Sequence, residues 1–303
     1  MSATQLTQLR PILAQNKAKL VGDLDQVRNA FEEMLMQFPI QPGVRFEQET
    51  VGGIPALWCI PAHAVPERVL LYIHGGGYVI GSSSGYRAMG SEFASRLKIR
   101  VLIPDYRLAP ENPFPAAVDD AVTVYRALID NRIPPKSIAI AGDSCGGGLA
   151  VAAMMAIRDQ GLPLPTAAAV ISPWIDLEVN SESFVSKAAE DPLIEADGLR
   201  GMAAAYLGAT SPRTPLASPL YGNFAGLPPL LIQAGSAEIL LDDATRLAAR
   251  AGAAGVKVRL DIWPEMFHVW HTCASQLDEA REALDDAAAF LKARSRDLIF
   301  DAP

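Results

Sequence analysis

From residue 101 onward, short apolar runs alternate with helical ones, and this alternation restricts the fold more than any other feature of the chain. VLIP (101–104), SIAIAG (137–142), AAAVIS (167–172), PLLIQAG (229–235) and VKVRLDIW (256–263) have the length and bounding residues of strands. Between and after them, AAVDDAVTVYRALID (116–130), GGLAVAAMMAIRDQ (147–160), ATRLAARAGAA (244–254) and a stretch within 276–295 have helical spacing. Strands that are nearly continuous in apolar residues are buried on both faces, so the pattern predicts an α/β chain with a mostly parallel central sheet flanked by helices. Three earlier runs bounded by Gly and Pro, VRFEQE (44–49), ALWCI (56–60) and RVLLYI (68–73), extend that sheet.

Two segments stand outside the alternation. LDQVRNAFEEMLMQF (24–38) places Val27, Phe31, Met34, Leu35 and Phe38 on one helical face, and Pro39 ends it. Residues 178–214 are polar, carry a helix signal and hold no strand pattern. An amphipathic helix must lie on something, so 1–45 and 178–214 are expected to pair as a helical cap over a catalytic domain formed by 46–177 and 215–303.

Charge removes several classes of function. The net charge is −8, and the 26 Lys and Arg are scattered, so no basic stripe tracks a phosphate backbone and no nucleic-acid partner is expected. The first twenty residues carry Arg10, Lys17 and Lys19 and lack the apolar core of a secretory signal. The longest charge-free run, 214–237, is broken by Pro215, Pro219, Pro228 and Pro229, which argues against a membrane span. A cytoplasmic location follows as an expectation. Cys59, Cys145 and Cys273 are too few and too dispersed for a disulfide scaffold or a thiolate metal site, and neither a metal nor an organic cofactor is expected.

AGDSCGGG (141–148) sets two nucleophile candidates side by side. Cysteine is intrinsically the stronger. The stretch is a G-x-S-x-G that follows a predicted strand and opens a predicted helix, the setting of a sharp turn whose positions two before and two after the central residue must be nearly bare. Centred on Ser144, those positions are Gly142 and Gly146; centred on Cys145, the first becomes Asp143. Steric room selects Ser144. Cys145 then contributes its backbone N–H at the first turn of the helix, and its thiol has no assigned part. HGGGYVIG (74–81), directly after RVLLYI, offers the complementary donors at Gly76 and Gly77, where the backbone can approach a substrate oxygen unobstructed. Without G-K-[ST] and in acidic surroundings, phosphate cradling by this loop is disfavoured.

Four motifs in order, HGGG (74–77), DYRLAPENPFPAAVDD (105–120), GDSCGG (142–147) and SPWIDL (172–177), make the chain resemble the bacterial hormone-sensitive-lipase-like carboxylesterases, an α/β-hydrolase family. The resemblance spans essentially the whole chain. It departs at Cys145, where the family usually has alanine.

A hydrolase of this fold takes its partners in the order Ser, acid, His from loops after later strands. Of four histidines, His63 precedes the motifs and His74 belongs to HGGG, where the resemblance implies a structural role. His268 follows the last strand within WPEMFHVWHTC and is the expected base; His271 lies farther on, as a packing or solvent-facing residue. For the acid, GSAEILLDD aligned with the family's D-P-L-x-D-[DE] puts Glu238 at the acid position. Asp242 and Asp243 are the alternatives, and fit better as N-cap and first-turn carboxylates of the following helix.

These residues describe a serine carboxylesterase with a Ser144–His268–Glu238 triad and an oxyanion hole of Gly76, Gly77 and Cys145. The resemblance implies short- to medium-chain acyl esters and a homodimer through the last edge strand, 256–263. An amidase or deacetylase on the same fold shares every residue named, and a non-catalytic small-molecule receptor is a further use of this fold.

Overall fold

The structure, a computed structural model, describes residues 2–20 and 22–295. Eight strands form one sheet: β1 (Val44–Val51), β2 (Ile54–Pro61), β3 (Val65–Ile73), β4 (Ile99–Pro104), β5 (Ile138–Asp143), β6 (Ala168–Ile171), β7 (Leu230–Gly235) and β8 (Val258–Trp263). Their order is β1-β2-β4-β3-β5-β6-β7-β8. β1 and β2 form a hairpin around Gly52-Gly53, and β2 pairs antiparallel with β4. All pairs from β4 to β8 are parallel.

Alternation along each central strand divides the core in two. Leu71, Ile73, Ile140, Val170 and Ile232 point into one layer with Val118 of α4 (Ala116–Asp130) and Leu149 of α5 (Cys145–Asp159). Leu70, Tyr72, Ala141, Ile171 and Leu231 point into the other with Phe93 of α3 (Arg87–Leu97) and Leu284 of α9 (Asp278–Ser295). Both faces are therefore covered, as the continuous apolar strands require. This is the α/β-hydrolase architecture.

Two of the longer helices were not anticipated. α3 supplies the crossover between the parallel β3 and β4; its small and polar residues hide its packing face. A Cβ on its Gly90 would lie 2.6 Å from Sγ of Cys59 and 2.7 Å from Ile103, so the helix seats directly on the sheet. α1 (Ser2–Lys19) buries Leu6, Leu9 and Leu13 despite an internal Pro11. The sequence-anticipated helix over 24–38 is α2 (Leu24–Met36), held at its start by a capping box between Asp23 and Gln26. Residues 178–214 contain α6 (Ser183–Ser186) and α7 (Ala196–Leu207) and no strand. Arg10 of α1 donates to the carbonyl of Glu190 at 3.1 Å, and Lys17 pairs with Glu195 at 2.6 Å. α8 (Leu241–Ala253) joins β7 to β8.

Candidate active site

Ser144 sits between β5 and α5 with φ 53° and ψ −127°, a conformation that a non-glycine residue adopts only under constraint. The constraint is visible in its neighbours. A Cβ at Gly142 would overlap the carbonyl of Gly146, and one at Gly146 would overlap the carbonyls of Ile73 and His74. The Ser144 N–H donates to the carbonyl of Ile171 at 2.9 Å, and its carbonyl accepts from Gly147, Gly148 and Trp174. The backbone is thus pinned while the side chain lines a cavity.

Asp143, one residue earlier, is buried behind the turn. It accepts hydrogen bonds from the hydroxyls of Tyr72 (2.7 Å) and Tyr86 (2.9 Å) and from the N–H of Gly75 (3.2 Å). Burial pushes its pKa up to about 6, against the pull of the two tyrosine hydroxyls. It ties the Ser144 turn to HGGG. An acidic residue inside an otherwise glycine-rich turn is a signal of such a role, and sequence reasoning did not use it.

Cys145 is fully buried, and burial raises its thiol pKa to about 12, so it is not a thiolate at neutral pH. Its sulfur nevertheless has partners: it accepts the backbone N–H of Tyr78 at 3.1 Å and lies 3.8 Å from the Tyr106 hydroxyl. The thiol left without a part in the sequence reading is a fastening between α5 and the loop that carries Gly76 and Gly77. Those glycines have φ of 114° and 61°. As the first residue of α5, Cys145 has no intrahelical acceptor for its N–H.

His268 and Glu238 come together from loops after β8 and β7. Nδ1 of His268 lies 2.9 Å from Oε2 of Glu238, and Oε1 of Glu238 accepts the N–H of Gly235 at 2.6 Å. The glutamate is 0% exposed and the histidine 6%. Burial raises the Glu238 pKa. For His268, burial opposes protonation, but the hydrogen bond and charge of Glu238, with Asp191 and Asp143 behind, outweigh it and hold the ring above its ordinary value. The two loops are fastened together: Ala237 donates to the carbonyl of Met266, and Ser236 to that of Trp263. Ser172 of SPWIDL accepts the N–H of Val269 at 3.1 Å, beside the histidine.

The alternatives lie elsewhere. His74 is buried, stacks on Tyr106 at 4.3 Å and bonds the carbonyl of Gly75, with burial lowering its pKa to about 4. His271 is buried in a short 3-10 turn against Trp270, hydrogen-bonded to Gln233; burial lowers its pKa to about 3. His63 is exposed. Asp242 and Asp243 lie in the first turn of α8, yet neither caps it, the N-cap being Leu240 without a side-chain bond. Asp243 instead accepts the N–H groups of Ile175 and Asp176, and Asp242 that of Ser183. Asp191 was missed by sequence reasoning. It accepts from Leu193, Ile194 and, across the fold, from the N–H of Ile239 next to Glu238. No local pattern marks it.

Ser144 and His268 face one apolar cavity of about 140 Å³, which Gly76 and Gly77 also line. No hydrogen bond joins their side chains in this arrangement; such contacts in ligand-free sites commonly tighten only when substrate arrives. Phe31 and Met34 of α2 and Leu193, Leu199 and Met202 of the 178–214 segment wall the cavity. It continues into a groove between α1 and α7.

A strained serine turn, a buried carboxylate–imidazole pair and a glycine-rich loop beside them on one mostly parallel sheet define the α/β-hydrolase class. The α/β-hydrolase family profile matches residues 70–272. An acetyl-hydrolase of Streptomyces hygroscopicus is 44% identical over 96% of this chain and 97% of its own length. An esterase of Acinetobacter venetianus is 36% identical over 87% of each. Among solved structures, an esterase of the bacterial hormone-sensitive lipase family superposes with a TM-score of 0.94 at 44% identity, covering 96% of this chain and 98% of that one. The chain belongs to the bacterial hormone-sensitive-lipase-like esterase family and is by class a carboxylic ester hydrolase.

Proposed function

We propose that the chain is a serine carboxylesterase acting on short- to medium-chain acyl esters through an acyl-enzyme. Ser144 Oγ attacks the ester carbonyl while His268 Nε2 takes its proton, and Glu238 holds Nδ1–H and stabilises the imidazolium. The backbone N–H groups of Gly76, Gly77 and Cys145 receive the oxyanion, each such donor worth roughly 3–4 kcal/mol in the transition state. His268 returns the proton to the departing alcohol, then activates the water that releases the acid.

The observation that carries this reading is the buried 2.9 Å contact between His268 and Glu238, opening on the same cavity as the Ser144 turn. Its apolar walls from α1, α2 and 193–202 support a cap made of 1–45 and 178–214 over a catalytic domain of 46–177 and 215–303. The 44% identical relative is named an acetyl-hydrolase, which favours acetyl groups, on oxygen or nitrogen, as a second reading of the acyl specificity. Among the described residues no helix is long and apolar enough to cross a membrane, and three free buried thiols suit a reducing cytoplasm. β8, at the sheet edge with Ile262 exposed, is the surface through which two copies would pair.

The test is hydrolysis of p-nitrophenyl esters from acetate to decanoate, with an aryl acetamide as comparison. Turnover of the short esters, abolished in Ser144→Ala and in His268→Ala but not in His271→Ala, is expected. Turnover that survives Ser144→Ala would refute the assignment.

A further inference from the structure

The block DYRLAPENPFPAAVDD carried the resemblance, yet the chemistry proposed above uses none of its side chains. Its contacts show what it touches. Asp105 accepts from the N–H of Ser83 at 2.6 Å and from its hydroxyl at 2.8 Å. Tyr106 donates its hydroxyl to the carbonyl of His74 at 2.9 Å, and the N–H of Ala109 donates to the carbonyl of Tyr78 at 2.9 Å. Residues 105–109 therefore run beside 74–83 and grip the main chain on both sides of Gly76 and Gly77.

A single side chain from α2 closes the other end of this grip. Arg28 donates Nε–H to the carbonyl of Val79 at 2.9 Å and Nη2–H to the carbonyl of Ala109 at 3.0 Å. The same guanidinium holds Glu111 in a bidentate pair at 2.7 and 2.8 Å. One turn later on α2, Glu32 accepts the Ser82 hydroxyl at 2.9 Å.

The turn these groups surround closes on itself, because the carbonyl of Gly76 accepts from both Val79 and Ile80. Its two glycines can leave their conformations at little steric cost, so the direction of their N–H groups depends on restraint from outside. A planar guanidinium can meet two carbonyls and a carboxylate at once; an ammonium cannot hold that fan.

We propose that Arg28 is a positioning residue for the oxyanion loop: by joining Val79, Ala109 and Glu111 it fixes the backbone N–H groups of Gly76 and Gly77. This rests on the proposed function for what the loop does, but the restraint itself is testable without turnover. The full chain and its Arg28→Ala, Arg28→Lys and Glu111→Gln variants are compared by hydrogen exchange of the 74–84 segment and by p-nitrophenyl butyrate kinetics.

In Arg28→Ala, exchange in 74–84 is expected to rise while the central strands stay protected. With it, kcat falls on the order of ten- to a hundredfold, the scale for misplaced catalytic groups, at a KM within about twofold. Added guanidinium, below denaturing concentration, restores both; ammonium at equal ionic strength does not. Arg28→Lys and Glu111→Gln fall between. Unchanged exchange in 74–84 overturns the proposal, as does a kcat within twofold of wild type. If the wild type turns over no ester while exchange still rises and is rescued, the restraint stands and the esterase reading fails. Should Arg28→Ala not fold, Arg28→Lys and Glu111→Gln decide by the same two measurements.

Discussion

The N–H of Tyr78 points at the sulfur of Cys145, 3.1 Å away, so the residue that follows Ser144 also anchors the loop after Gly77. Truncating Cys145 to alanine keeps its own N–H and leaves that of Tyr78 unpaired and buried, at a cost of about 1–3 kcal/mol shared between folding and catalysis. Cys145→Ala is expected to keep activity within about tenfold of wild type, Ser144→Ala to lose it. Because the thiol is buried with a pKa near 12, iodoacetamide leaves the native enzyme active. Rapid inactivation by the reagent contradicts this arrangement.

On the proposed mechanism, the carboxylate of Glu238 sets the pH profile. In its proposed role as base, His268 must be neutral, and its pKa is held above the ordinary value of about 6.5. The rate kcat/KM should therefore rise with pH through a limb above that value. Glu238→Gln removes the charge, so the limb moves to lower pH, and kcat drops on the order of ten-thousandfold as the ring loses its orienting partner. A limb that stays in place in Glu238→Gln shows that another group titrates.

Gly146 is where steric room has no substitute. A Cβ there meets the carbonyls of Ile73 and His74, both backbone, so neither can swing away. Gly146→Ala should destabilise the chain by about 3 kcal/mol or more, read from chemical denaturation. A loss under about 1 kcal/mol means the turn is looser than described.

Met202 of α7 occupies the space where a Gly77 side chain would project, and it walls both the cavity and the groove beyond. Met202→Ala should widen the passage, raising kcat/KM for decanoate relative to acetate several-fold, an apolar contact of this size being worth about 1–3 kcal/mol. An unchanged ratio across the ester series places the acyl chain elsewhere.

Burial raises the pKa of Asp243 to about 8, its two N–H bonds from Ile175 and Asp176 notwithstanding. A carboxyl with a raised folded-state pKa stabilises below its unfolded value of about 3.9, and that contribution is lost as pH rises towards 8. The Tm should decline across this window, and Asp243→Asn, which does not titrate, should flatten the decline. Equal slopes for the two proteins refute it.

What the sequence alone determined was local or periodic. Gly142, Ser144 and Gly146 lie within one turn, where excluded volume between near neighbours selects the residue types, and the continuous strands announce a sheet covered on both faces. His268 could be singled out because it follows a recognisable strand within a few residues, and Glu238 through the family's acidic motif after another; the structure brings the two 2.9 Å apart. Tertiary structure decided the rest. The thiol of Cys145 gains its partner from residue 78, Asp191 reaches Ile239, Arg28 joins Val79 to Glu111, and Asp243 serves a distant loop where a helix cap was expected. Each is a polar group whose acceptor or donor comes from another part of the chain. A hydrogen bond between such groups depends on topology and register, which bring them within about 3 Å only after the sheet and its helices have packed; no spacing in the sequence encodes that approach.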